Sequence, residues 1–160
     1  MILVTVGMQL GFDRLIEAMD ALAPELGEPV IAQVGKSGFV PQHIEARASI
    51  PPSEFEALVA RSRLIVSHAG IGTVLTAARF SKPIVLFPRR ADLGEHRNNH
   101  QLATIANLAG RPGILIAENA ADLGPAIAQG LALGDVAHRT SPQAARLNRA
   151  IAQFIETGSL

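Results

Sequence analysis

Leu64-Ile65-Val66-Ser67-His68-Ala69-Gly70-Ile71-Gly72-Thr73 is an apolar run, then two glycines one residue apart, then residues at helical spacing. It reads as a buried strand, a glycine turn and a helix start. A strand apolar on both of its faces is at home in a parallel sheet covered by helices on each side. Gly70 and Gly72 let the backbone approach an anion closely. The first helical N–H groups lack partners and the helix dipole is positive there, which makes a pyrophosphate cradle. Thr73 adds a hydroxyl donor. The same glycines also suit a plain tight turn, and both readings stand at this level. Leu75 at the third glycine position excludes the dinucleotide fingerprint, and no Gly-Lys-Ser/Thr follows to make a Walker loop. His68 is either a hydrogen-bonding partner for phosphate or a cap on the strand end.

Outward from this stretch, strands and helices alternate. Ile2 to Val6 is an apolar run ending at Gly7, followed by a helical face at Leu15, Ile16, Met19 and Leu22 that stops at Pro24 and Gly27. Pro29 to Val34 is a second strand, and His43 to Ile50 includes a short third. Ser53 and Glu56 match a capping box that opens a helix through Leu58 and Val59. After the glycine turn come a helix from Thr73 to Phe80, a strand Pro83–Phe87, a polar loop from Pro88 to Gly94, a helix from Arg97 to Leu108, a strand Gly113–Ile116 and a helix from Ala120 to Leu131. Ser141-Pro142 is an N-cap followed by proline at the first helical position, so 141–156 reads as a last helix. Its residues Leu147, Ile151, Phe154 and Ile155 form an apolar stripe that packs on this domain's own sheet or on a partner. The whole chain, 1–160, reads as a single α/β domain with a Rossmann-like parallel sheet and helices on both faces. In such sheets ligands sit at the carboxyl ends of the strands.

The second candidate region is Pro88-Arg89-Arg90-Ala91-Asp92-Leu93-Gly94-Glu95-His96-Arg97-Asn98-Asn99-His100-Gln101. It follows the strand after the glycine turn and opens on the same sheet edge. It offers cations for phosphate and carboxylate or amide groups for sugar hydroxyls, or else it is a solvated surface loop. His96 and His100 have helical i, i+4 spacing, but Arg97 stands where a zinc-protease motif has Glu and no third ligand is evident, so no metal site is expected. Ser67-His68 lacks the nucleophile-elbow pattern, which disfavours a self-contained hydrolase.

Composition narrows the classes further. Of 160 residues 48% are apolar and only 18% charged, with 14 basic residues balancing 14 acidic ones, so neither disorder nor a nucleic-acid-binding surface is expected. The absence of Trp and Tyr argues against base-stacking platforms. Without cysteine there are no disulfides and no thiolate chemistry. No apolar run reaches the ~20 residues of a membrane span, so membrane contact is expected to be peripheral and through a partner.

Several segments resemble, in order and along nearly the whole chain, the C-terminal, donor-binding domain of glycosyltransferase family 28, in the free-standing form used by split enzymes. Val4-Thr5-Val6-Gly7 with Phe12-Asp13-Arg14-Leu15 is similar to the family's opening, Gln33-Val34-Gly35 to its second strand end, and Ser67 to Thr73 to its signature. Lys82-Pro83-Ile84, Pro88-Arg89 and Gly94-Glu95-His96-Arg97-Asn98 through His100-Gln101 resemble the exopolysaccharide-synthesis branch. The resemblance implies one half of a GT-B enzyme, inverting transfer from a UDP-sugar substrate without a cofactor or cleft metal, and a lipid-linked acceptor. It also implies a membrane-anchored acceptor-binding subunit, with this chain cytoplasmic and peripheral at the inner membrane face.

On that resemblance the donor site comprises Gly7, Ile50, His68, Gly70, Ile71, Gly72, Thr73, Arg89, Glu95, His96 and Gln101. Backbone near Ile50 would meet uracil, the glycine turn and Arg89 the diphosphate, and Glu95 and Gln101 the ribose or donor sugar. His68 is the sole catalytic candidate, and the general base is expected on the partner. The chain departs from the family pattern at Thr76, where many members have a ribose-gripping Glu, and at Met8, where many have a hydroxyl residue. A non-catalytic nucleotide-sugar-binding regulatory module and a small homo-oligomeric enzyme acting on sugar phosphates are the competing expectations.

Overall fold

A computed structural model describes residues 1–136. Six strands form one parallel sheet in the order β3-β2-β1-β4-β5-β6. They are β1 (Ile2–Thr5), β2 (Val30–Gln33), β3 (Glu45–Arg47), β4 (Leu64–Ser67), β5 (Ile84–Leu86) and β6 (Ile114–Ile116). The helices are α1 (Asp13–Leu22), α2 (Pro52–Arg61), α3 (Ile71–Arg79), α4 (His100–Leu108) and α5 (Ala120–Leu133).

Alternation along the strands divides the core in two. Ile2, Val4, Leu64, Val66 and Val85 face α1 and α5, meeting Leu15, Ile16, Met19, Leu123 and Ile127. Leu3, Ile65, Ile84 and Leu86 point the other way, to Leu58 and Val59 of α2, Val74 and Ala77 of α3, and Ile105 and Leu108 of α4. Residues of β1, β4 and β5 are 2% exposed or less, as the apolar run predicts for strands covered on both faces. Helix α5 lies so close to the sheet that a Cβ at Gly130 would stand 2.6 Å from Leu64 Cδ1, so a larger residue there would have to displace that side chain.

The local differences from expectation have physical causes. The Ser53–Glu56 capping box does not form: Pro51 is the N-cap of α2 and Pro52 its first residue, with no side-chain cap. Proline fixes φ near the helical value and has no N–H to satisfy, so the helix starts ahead of Ser53. Helix α3 begins at Ile71 instead of Thr73, because Gly70 serves as N-cap. Helix α4 begins at His100 instead of Arg97. Helix α5 runs to Leu133 with Pro125 inside it. The expected last helix at 141–156 lies outside the described residues. No described helix is long and apolar enough to cross a membrane.

The register aligns the strand ends. Thr5 of β1 pairs with Gln33 of β2 and with Ser67 of β4, and Ser67 pairs with Leu86 of β5. The chain winds outward from β1 to β3 on one side and from β4 to β6 on the other. The crevice beyond the carboxyl ends of β1 and β4 is therefore the switch point where α/β sheets take ligands.

Candidate functional site

At that switch point three connections converge: the β1–α1 loop, the β4–α3 turn and the β5–α4 loop. They enclose a cavity of about 280 Å³ lined by Val6, Gly7, Met8, Gln9, Leu10, His68, Arg89, His96 and Gln101. Its side chains supply two imidazoles, a guanidinium and two amides, and no carboxylate.

His68 stands at the centre. Its ring is held between two glycines: a Cβ at Gly70 would stand 2.3 Å from Nε2, and one at Gly7 2.9 Å from Cε1. Gly7 has φ +80°, a left-handed conformation that glycine adopts without strain. Nδ1 lies 3.3 Å from Ser67 Oγ. Burial, followed by the positive charges of Arg89 and His96, holds the imidazole pKa below its ordinary 6.5. The ring is therefore neutral at pH 7.

On the other side of this ring is the N-terminus of α3. The Val74 amide makes the first helical bond, to Gly70 O at 3.3 Å, and α3 has no side-chain cap. The amides of Ile71, Gly72 and Thr73 have no acceptor among the described residues, as an anion cradle requires. Gly72 and Ile71 are exposed, and a Cβ at Gly72 would meet nothing within 4 Å. Thr76 points its hydroxyl back to Gly72 O at 3.0 Å.

Arg89, expected at the diphosphate, lines the cavity but also bonds the protein's own backbone. It is 2% exposed. Its guanidinium donates to the carbonyls of Gly11 (2.6 Å), Val6 (2.7 Å) and Leu10 (3.0 Å) and lies 4.5 Å over the Phe12 ring. It closes the β1–α1 loop and places a positive charge under the cavity, with no carboxylate bonded to it among the described residues. Gln101, 8% exposed, accepts from Ala69 N (3.2 Å) and Arg89 N (2.9 Å) through one oxygen, Oε1. It thereby ties the ends of β4 and β5 together, and only its Nε2 donors remain for a ligand.

Glu95, expected beside the sugar or ribose, is engaged elsewhere. Its carboxylate takes a bidentate pair from Arg14 (2.7 and 2.8 Å) and the Arg90 amide (2.9 Å). Arg14 also donates to Pro88 O at 2.8 Å and lies 4.3 Å over the Phe87 ring. His96 lines the cavity but precedes α4, while His100 is its first residue, so the two do not share a helix face. The Ile50 side chain is 4% exposed and packs with the α2–α3–α4 core, so any contact it makes with a base is through backbone.

Of the cavity lining, Val6, Met8, Gln9 and Leu10 were not among the site residues expected from the sequence, and Arg14 and Gln33, which support that lining, escaped it too. Arg14 was visible only as part of an opening motif, since its partner is 81 positions away. Gln33 ends an apolar strand, an unusual place for an amide, and that was its one sequence signal.

Residues 1–131 match the glycosyltransferase family 28 C-terminal domain. Over 102 residues the chain is 37% identical to the UDP-N-acetylglucosamine transferase subunit ALG13 of Eremothecium gossypii, covering 54% of this chain and 50% of that protein. It thus spans about half the length of the curated relative it matches. Among solved structures, MurG of Acinetobacter baumannii superimposes with a TM-score of 0.58 at 16% identity, over 94% of this chain and 49% of that one. The calicheamicin glycosyltransferase CalG4 gives 0.55 at 19% identity, over 99% and 38%. The fold is one half of the GT-B architecture. The chain belongs to the glycosyltransferase family 28 C-terminal domain family.

Proposed function

We propose that this family 28 domain is the donor-binding subunit of an inverting glycosyltransferase. It would take a UDP-sugar and pass the sugar to a lipid-linked saccharide at the inner membrane face, in exopolysaccharide or related glycan synthesis. A membrane-anchored partner subunit would carry the acceptor and the general base. The observation that carries this reading is the buried Arg89 guanidinium, which among the described residues bonds backbone carbonyls and no carboxylate, Glu95 reaching it only through its charge, beneath a cavity lined by cationic and amide groups. A buried cation of this kind favours an anionic ligand. The unpaired α3 amides beside His68 add a diphosphate cradle. The name of the Eremothecium relative, a UDP-N-acetylglucosamine transferase subunit, supports both the nucleotide and the division into subunits.

The chemistry follows from those groups. The acceptor hydroxyl oxygen attacks the anomeric carbon and loses its proton to the base, and the bond from that carbon to the β-phosphate oxygen breaks. Negative charge then grows on UDP. The α3 amides and dipole, the Arg89 field and a His68 hydrogen bond meet that charge as it forms. Gln101 offers Nε2 donors to a ligand hydroxyl or phosphate oxygen.

Calorimetry with UDP tests the site. Gly72→Asp puts a carboxylate at the α3 N-terminus in open space, where the helix dipole favours it. UDP binding is expected to vanish while Tm holds or rises. Unaltered affinity removes the cradle from the reading. Transfer by this purified chain alone would remove the partner subunit.

A further inference from the structure

Gln33 is 4% exposed and ends β2 next to Thr5. Thr5 Oγ1 donates to Gln33 Oε1 at 2.8 Å and accepts from the Gly7 amide at 3.3 Å. With Oε1 on the hydroxyl, Nε2 faces the other way, and the flipped amide is disfavoured because it would set Oε1 against the Met8 sulfur, acceptor against acceptor. Nε2 points at Met8, donating to its Sδ at 3.1 Å. A thioether is a weak acceptor, so a buried amide donor with this partner is close to unsatisfied. Met8 lines the cavity and Gln33 does not, so the sulfur stands between the donor and the ligand space. Met8 is 70% exposed, on an unbranched side chain that changes rotamer at little cost.

We propose that Gln33 is a further ligand-binding residue, masked by the Met8 thioether and uncovered when an anionic ligand displaces that sulfur. A diphosphate oxygen is a much stronger acceptor than sulfur, and a charge-assisted bond in its place more than offsets the lost S contact. Met8 then acts as a displaceable cap: it keeps the Gln33 amide from being wholly unpaired and yields it to the ligand. The Thr5 hydroxyl holds the amide aimed throughout. The proposal rests on the reading that this cavity takes a nucleoside diphosphate.

UDP titrated into the full-length protein by calorimetry separates the two. Gln33→Met keeps side-chain length and removes the donor, and a five- to twenty-fold weaker Kd is expected. Met8→Ala removes the cap, and UDP is expected to bind two- to threefold tighter. In the double variant the Met8→Ala gain should disappear, a coupling that a merely structural Gln33 would not produce. Gln33→Glu covers the case in which Gln33→Met does not fold, since it keeps the acceptor for Thr5 and should weaken UDP more than twenty-fold. Wild-type protein that fails to bind UDP overturns the functional reading itself. Wild-type binding with an unchanged Kd in a folded Gln33 variant, or a Met8→Ala gain that persists without Gln33, overturns the masked donor.

Discussion

The glycine turn and the polar loop after β5 lie on one edge of one sheet, yet they contribute in opposite ways. The turn has almost no polar side chains and leaves the amides of Ile71, Gly72 and Thr73 open. The loop is dense in polar side chains, and nearly all of them are engaged with the protein itself. Arg89 holds three carbonyls, Glu95 holds Arg14, Arg90 pairs with Asp92, and Asn99 Oδ1 accepts from Ala91 N. Polar content is thus a poor guide to which groups remain available to a ligand. A side chain committed to a scaffold is not free to bind, while a glycine that leaves backbone bare is.

The sharpest way to break this contrast is at Gly70. An added Cβ there collides with the His68 ring, whereas one at Gly72 meets nothing. Gly70→Ala is therefore expected to weaken UDP binding at least thirty-fold by calorimetry. Gly72→Ala should bind normally and gain about 0.5–1 kcal/mol from its helical position. Equal affinities for the two variants would mean that the glycine turn does not shape the site.

Glu95 tests the loop's side. Its contacts with Arg14 are charge-assisted but partly exposed, with side-chain accessibilities of 13% and 24%. Glu95→Gln is expected to cost about 1–2 kcal/mol of stability, read as a Tm lower by several degrees. UDP-sugar affinity should change less than threefold. A larger loss of affinity at unchanged Tm would return Glu95 to the ligand.

The smallest effect is the pH response of His68, which lies between the two regions. Its pKa is held below 6.5 by burial and by Arg89 and His96. As pH falls below about 6.5 the unfolded chain takes up the proton first, so this histidine's contribution to stability, present above that pH, declines. A bound diphosphate reverses the local charge and raises the imidazole pKa, so binding draws in a proton. UDP affinity should rise a few-fold from pH 7 to 5.5 relative to His68→Gln, which retains every other titrating group of the site and of the ligand. Parallel pH profiles for the two proteins would place His68 away from the phosphate.

What the sequence made legible follows the range of the interactions. Buried strands, the helical faces and the ligand edge of the sheet arise from patterns a few residues long, and five strands lie where apolar runs and breakers put them, whereas the edge strand β3, Glu45–Arg47, has no apolar run of its own. The Ser53–Glu56 box failed because the two prolines beside it set the helix start more strongly. The contacts of Glu95 and Arg89 were not legible because Arg14 and the carbonyls of Val6, Leu10 and Gly11 lie 78 to 83 positions away. Gln33 is a similar case, since its meaning depends on Thr5 of β1 and Met8 of the loop that follows it.

The His68 ring and its two flanking glycines also constrain how this gene can vary. Any substitution at Gly7 or Gly70 adds a Cβ that reaches the imidazole, and Gly7 adds backbone strain as well. A smaller residue at position 68 would make room, but it would leave the two glycines facing an empty slot. No single step among these three positions leads to another well-filled arrangement. A change at one of the three is therefore expected to call for a compensating change at another, although they lie on two separate loops.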